Sequence, residues 1–187
     1  MTCHVCADPT CIENHHMPAI SLADSPLKHL YVGGSPAAVK PADFNKVLGF
    51  LGIAKAIAYK SKDRSTKIGA VVLGPDCEIR SSGWNGFPRG IDDSVEERHT
   101  RPAKYLWTAH AEENSVAQAA RIGVSLNGCT MLVTELHPCT ACSRMIIQAG
   151  IKRVFAPAEP KDIAKWNGEE LVAMQMLSEA GVVVVRY

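Results

Sequence analysis

The sequence has almost no net charge, since 20 lysines and arginines stand against 19 aspartates and glutamates and leave a formal charge of +1. Proteins that bind long nucleic acids usually present a strongly basic surface, so this balance disfavours a long nucleic acid as substrate. Long apolar runs are also missing: the longest, Gly181 to Val185, is far below the roughly 20 residues that span a bilayer. Met1 to His4 do not open a signal peptide. We therefore expect a cytoplasmic protein without a membrane partner.

Internal repeats and low-complexity tracts are absent as well, and 47% hydrophobic with 21% charged residues is the composition of an ordinary globular protein. A chain of 187 residues has the usual size of one domain. Residues 1–42 have little hydrophobic periodicity and are rich in proline and glycine, which indicates an N-terminal extension. The regular domain is predicted to occupy residues 43–187.

Hydrophobic periodicity in this domain predicts alternating helices and strands. A helix from Asp43 to about Tyr59 precedes two strands, 68–73 and 79–84, and an irregular charged segment, 85–108, follows them. The later predicted elements are a helix over 109–122, a strand over 130–134, a helix over 139–149, a strand over 153–156, a helix over 169–179 and a strand over 182–186. This alternation predicts an α/β fold in which helices cover a mixed sheet of about five strands.

Seven cysteines, some closely spaced and near histidines, favour metal binding over disulfides. Cys139 and Cys142 are three residues apart in the first turn of a predicted helix, so both sulfurs face the same way. His110, at the start of the preceding helix, would complete a zinc site of one nitrogen and two thiolates with a fourth position open to water. Glu112 could reach that water and is the candidate proton shuttle. The alternative is a closed structural zinc site or a chance grouping of core cysteines.

The pattern His110-Ala111-Glu112 with Pro138-Cys139-Thr140-Ala141-Cys142 resembles the H-x-E and P-C-x-x-C signature of the zinc-dependent cytidine and deoxycytidylate deaminase superfamily. Four further features resemble the deoxycytidylate (dCMP) deaminases within it: Thr66 to Ala70, Gly83 to Gly90, Asn114 and Ala149 to Arg153. The resemblance covers about residues 44–187. It implies a three-layer cytidine-deaminase-like fold and a zinc enzyme that converts dCMP to dUMP and ammonia.

Four features depart from the family pattern. They are Trp84, where Tyr is frequent, Glu113, the pair Leu136-His137 before the proline, and the long N-terminal extension. None of them changes a predicted zinc ligand.

The resemblance also implies roles for residues around the zinc. Asn85 is expected to contact the sugar hydroxyl, with a purely structural role in its turn as the alternative, and Ala111 is expected to contact the substrate. In the family, dCTP activates and dTTP inhibits, and the matching effector or subunit-contact residues here are Gly83, Trp84, Gly86 and Arg121. We expect such regulation in a homo-oligomer, expected to be a hexamer. The candidate ligands of the substrate phosphate are Arg64, Ser65, Lys67, Arg89, Arg101 and Lys104.

The N-terminal extension contains a second group of metal-ligand residues. Cys3, Cys6, Cys11 and His16 have the spacing of a small zinc knuckle, and a structural zinc there would order the extension. Because some dCMP deaminases carry a second, non-catalytic zinc, these cysteines could instead pair with His99. The alternative is a flexible tail with free thiols.

Other functions remain open from the sequence. The same zinc core could serve a tRNA or single-stranded nucleic-acid base deaminase, or act on dCTP or a 5-substituted dCMP. A third hypothesis is a nucleic-acid-binding module that uses the N-terminal zinc beside an inactive deaminase domain. The presence of every chemical group that deamination needs argues against this third hypothesis.

Overall fold

The structure, a computed structural model, describes residues 41–158 and 168–187, with side chains from residue 45 onwards. The candidate zinc-knuckle residues of the N-terminal extension, Cys3, Cys6, Cys11 and His16, lie outside the described residues. In the part of the chain that is described, no helix is long and apolar enough to cross a membrane.

One mixed sheet forms the centre of the described domain. Its strands are β1 (Gly69–Leu73), β2 (Ile79–Trp84), β3 (Thr130–Val133), β4 (Arg153–Ala156) and β5 (Val183–Arg186). They lie in the order β2-β1-β3-β4-β5, where β1 runs antiparallel to β2 and β3 and the pairs β3–β4 and β4–β5 are parallel. The predicted mixed sheet of about five strands is confirmed.

Helices cover both faces of this sheet. They are α1 (Pro41–Leu48), α2 (Leu51–Ala58), α4 (Ala111–Ile122), α5 (Thr140–Gln148) and α6 (Glu169–Glu179), whereas the short helix α3 (Lys104–Trp107) lies in the segment between β2 and α4. Alternate strand residues point to opposite faces, so Val72, Met131 and Val154 pack with α4, α5 and α6. Val71 and Leu132 pack on the other face with α1 and α2. The result is three layers with one core on each side of the sheet.

The predicted helix from Asp43 to Tyr59 is in fact two helices. The N–H of Phe50 donates to the carbonyl of Val47 at 3.0 Å, which closes α1 with a tight turn before α2 starts at Leu51. Gly49 sits at this break, and glycine costs about 1 kcal/mol in a helix interior. The apolar repeat runs through the break, so periodicity alone did not detect it.

The segment 85–108, expected to be irregular, contains a 3₁₀ turn over Glu96–His99 and the short helix α3. Elements of four residues are too short for a periodic signal.

Gly83 in β2 sets the position of α4 on the sheet. A Cβ at this position would lie 2.4 Å from the carbonyl oxygen of Ala111 and 2.5 Å from the nitrogen of Ser115, both in α4. Only a residue without a side chain permits this approach. The hydroxyl of Ser81 adds a hydrogen bond of 2.7 Å to the Ser115 carbonyl. The beginning of α4 is therefore held against β2.

Candidate active site

The predicted metal ligands meet where two helices begin. His110 immediately precedes α4, Cys139 immediately precedes α5, and the two helices lie side by side. The Nδ1 atom of His110 is 3.4 Å from the sulfur of Cys139 and 3.4 Å from the sulfur of Cys142. All three ligand atoms lie within 4.8 Å of one another, and no other such group of His, Cys, Asp or Glu side chains occurs among the described residues.

These residues fit a zinc ion. Ligands at ordinary zinc–sulfur and zinc–nitrogen distances in a tetrahedral site are about 3.6 Å apart, close to the separations seen here. Hydrogen bonds from Cys142 and His110 lower the pKa of the Cys139 thiol to about 4. The Cys139 sulfur in turn raises the pKa of His110 to about 9. The site thus favours one anionic sulfur, that of Cys139, which is the form that binds zinc, while the hydrogen bond to Cys139 and burial raise the pKa of the Cys142 thiol.

Backbone contacts hold His110 in place. The residue before it, Ala109, forms an isolated bridge with Gly86, in which each N–H donates to the other's carbonyl at 2.9 and 3.0 Å. The N–H of His110 donates to the carboxylate of Glu113 at 3.2 Å, a typical capping contact at a helix start. The loop after β2 and the first turn of α4 therefore fix the imidazole together.

Glu112 lies in the first turn of α4 beside the three metal ligands and is only 4% exposed. Burial raises the pKa of its carboxyl group to about 7, and the nearby His110 offsets part of that increase. At neutral pH the group is therefore present in both protonation states. A carboxyl group with this pKa can both accept and donate protons during a reaction.

Asn85 is 5% exposed, and its amide contacts the backbone before β1. Its Nδ2 donates to the carbonyl of Thr66 at 2.9 Å, and its Oδ1 accepts from the N–H of Ile68 at 2.8 Å. These bonds support the structural role of the residue, and its sugar contact stays a prediction. Ala111, the first residue of α4, is fully buried in the core between this helix and the sheet. Its contact with substrate also stays a prediction.

A cavity of about 290 Å³ lies against the loop after β2, where Trp84, Gly86 and Phe87 line it. The cationic residues in its lining are Lys60, Lys62, Arg64, Arg89 and Lys104. Three of these were phosphate candidates, whereas Lys60 and Lys62 were missed because single lysines in a loop carry no sequence signal. Anionic partners hold several of the cations: Arg64 pairs with Glu96, Lys62 with Asp93 and Lys104 with Asp63.

Other predicted residues lie away from the lining of this cavity. Ser65 and Lys67 are exposed beside it, and Arg101 lies over the ring of Tyr105 at 5.8 Å. Arg121 is exposed in the last turn of α4.

His99 does line the cavity: its Nε2 is 2.7 Å from the Asp93 carbonyl oxygen, and its ring lies 4.7 Å from that of Phe87. Its proposed zinc partners in the extension lie outside the described residues.

Known proteins are similar to this chain in sequence and in fold. The family model described as the cytidine and deoxycytidylate deaminase zinc-binding region matches residues 45–158. An uncharacterised deaminase of Aliivibrio fischeri is 40% identical over 136 residues, covering 72% of this chain and 88% of the relative. The deoxycytidylate deaminase of Mus musculus is 33% identical over 142 residues, covering 73% and 76%.

Among solved structures, the dCMP deaminase of cyanophage S-TIM5 in complex with dCMP and dUMP superposes with a TM-score of 0.62 at 27% identity. The match covers 80% of this chain and 99% of the phage protein. The predicted cytidine-deaminase-like fold is confirmed by this similarity. With the match to the family model and the cluster of His110, Cys139 and Cys142, these similarities show that the chain belongs to the cytidine and deoxycytidylate deaminase family and is a hydrolytic deaminase.

Proposed function

We propose that the protein hydrolyses the bond between ring C4 and the amino group of dCMP and releases dUMP and ammonia. The observation that carries this proposal is the convergence of His110, Cys139 and Cys142 beside the buried carboxyl group of Glu112. The choice of dCMP is supported by similarity to the mouse deoxycytidylate deaminase and to the phage enzyme bound to dCMP and dUMP.

Zinc, when held by these three residues, activates a water molecule as the nucleophile. Glu112 accepts the proton released as the new C4–O bond forms and passes it to ring N3. It then moves the proton of the new C4 hydroxyl to the exocyclic amine. The C4–N bond breaks, ammonia leaves, and the ring becomes uracil. Burial, which raises the pKa of the Glu112 carboxyl group, favours the protonated form that donates in this cycle.

We further infer that dCTP activates and dTTP inhibits the enzyme through the end of β2, with Gly83 and Trp84, and the loop after it, with Gly86. The cavity beside this loop supports the inference, because aromatic rings and lysine and arginine side chains line it together. Such side chains suit a base and a polyphosphate. The proposal includes assembly of the chain into a homo-oligomer, expected to be a hexamer. The second zinc of the N-terminal extension and a cytoplasmic location also stay predictions.

A panel of substrates tests the proposed reaction. Purified protein is given dCMP, dCTP, 5-methyl-dCMP, a cytosine-containing single-stranded oligonucleotide or tRNA, and the deaminated products are quantified. We expect the highest kcat/KM with dCMP. Turnover of the oligonucleotide or tRNA with no turnover of dCMP would contradict the proposal, and preference for dCTP or 5-methyl-dCMP would reassign the substrate.

A further inference from the structure

His137 is a buried imidazole that the proposed chemistry leaves without a role. It lies in the loop between β3 and α5, immediately before Pro138 and two residues before the predicted ligand Cys139. The residue is 2% exposed. Burial of a polar ring is costly unless the ring forms hydrogen bonds, so its contacts need an explanation.

The ring reaches two other parts of the fold. Its Nε2 atom is 2.7 Å from the carbonyl oxygen of Pro157, just after β4. Because a carbonyl only accepts, Nε2 must carry the hydrogen. The second nitrogen, Nδ1, lies 3.5 Å from a carboxylate oxygen of Glu170, in the first turn of α6, and forms no hydrogen bond among the described residues. The side chain of Glu170 is 7% exposed, so this contact is also inside the protein.

The backbone of the loop explains why a side-chain contact matters here. Glu135 has a φ of +67°, and the N–H of Leu136 donates to the Thr134 carbonyl at 2.8 Å, so the chain turns sharply away from β3. Pro138 has no N–H to donate. The loop thus leaves the ladder of the sheet before it reaches Cys139, and the His137 ring connects it to the end of β4 and to α6.

We propose that His137 is a positioning residue of the zinc site. Through its hydrogen bond to Pro157 it holds the loop that carries Cys139, and thereby the first turn of α5 with Cys142, in the metal-binding arrangement before an ion arrives. The inference rests on the proposed function only in requiring zinc at this site. Partners that orient metal ligands typically change metal affinity by about 10–100-fold when they are removed.

Zinc affinity and the visible spectrum of the cobalt-substituted protein test this role. The full chain with Cys3, Cys6 and Cys11 changed to Ser removes competing thiols of the extension. In this background we expect His137→Phe to lower zinc affinity about 10–100-fold in chelator competition and to shift the cobalt absorption bands. We expect His137→Gln, whose amide can still donate to the Pro157 carbonyl, to recover most of the affinity.

Ser61→Ala is the matched control, because the buried Ser61 hydroxyl accepts from the Asp63 N–H at 3.1 Å in the segment between α2 and β1. It should lower thermal stability without changing zinc affinity. Wild-type affinity and an unchanged cobalt spectrum in His137→Phe would overturn the proposal. If that variant does not fold, His137→Ala, which also removes the contact with the Pro157 carbonyl, replaces it, and wild-type zinc affinity in His137→Ala would overturn the proposal as well. Zinc binding is measured without substrate, so an incorrect choice of dCMP would leave these results unaffected.

Discussion

At the residue scale, the burial of Glu112 predicts what its removal would do. Glu112→Gln keeps the size of the side chain but cannot carry a proton, so turnover should fall by about 10²–10⁴-fold while zinc stays bound. Glu113→Gln is the matched control, since its amide oxygen can still accept from the His110 N–H. Steady-state rates and metal analysis of both variants check this. Near-normal turnover of Glu112→Gln would assign the proton transfer to another group.

Asp63 offers a prediction about pH. Burial would raise the pKa of this carboxyl group, but hydrogen bonds from Lys104, Thr66 and Ser65 outweigh burial and lower the pKa from 3.8 to about 2. A carboxyl group whose pKa is lower in the folded than in the unfolded protein stabilises the fold. This stabilisation is fully present when the pH is above the pKa of the unfolded state, and it is lost as the pH falls through the pKa of the folded state. The contribution should therefore be complete above pH 4 to 5 and disappear towards pH 2.

The variant Asp63→Asn should lower the free energy of unfolding at pH 7 by about 1 to 2 kcal/mol, after allowance for solvent screening. The difference from the wild type should shrink as the pH is lowered from 5 to 3 in urea titrations. Asp93→Asn, which removes the exposed pair with Lys62, should have little effect at any pH. A deficit for Asp63→Asn that is independent of pH would contradict the ion-pair explanation.

At the scale of elements, the contact between β2 and α4 depends on Gly83. Gly83→Ala places a methyl group against the Ala111 carbonyl and the Ser115 nitrogen. Both are backbone atoms of α4, so the clash can be relieved only if the helix itself moves. Overpacking of this kind should destabilise the protein by about 1–3 kcal/mol or more. Gly52→Ala in α2, with nothing within 4 Å of the added Cβ, should be neutral or stabilising. Chemical denaturation compares the two, and equal stabilities would show that α4 can shift.

The zinc ligands at the starts of α4 and α5 could be predicted from the sequence, whereas the residues that tertiary packing brings together could not. Each half of the zinc site is local, because H-x-E and P-C-x-x-C both occupy one turn at a helix start, so the ligands were predictable from spacing. The cavity cations come from three separate segments, near Lys60, Arg89 and Lys104, and only tertiary packing brings them together. The break at Gly49 was hidden by a continuous apolar repeat. The sequence showed His137 only as a departure from the family pattern that changes no zinc ligand. Its role could not be predicted because the residues near its ring, Pro157 and Glu170, are distant in sequence.

At the scale of the whole molecule, regulation needs two assembled states that bind an effector unequally. We expect initial rates against dCMP to be sigmoidal, to become hyperbolic with dCTP and to be suppressed by dTTP. Trp84→Ala should weaken the effector response about 5-fold or more, within the usual range of allosteric coupling, and leave zinc binding unchanged. Tyr105→Ala, another exposed aromatic that does not line the cavity, is the control. Hyperbolic kinetics unaffected by either nucleotide, in a protein shown to be oligomeric, would reject this regulation.

The hydrogen-bonded bridge between Gly86 and Ala109 connects the cavity loop to the metal centre, since Ala109 is the neighbour of His110. Two backbone hydrogen bonds join Gly86 to Ala109, so we expect a displacement of Gly86 to move the neighbouring His110 as well. Misplacement of a reacting group by about 1 Å is enough to change a rate by about 10²-fold. The position of the His110 imidazole therefore depends on a loop that supplies none of the three candidate zinc ligands.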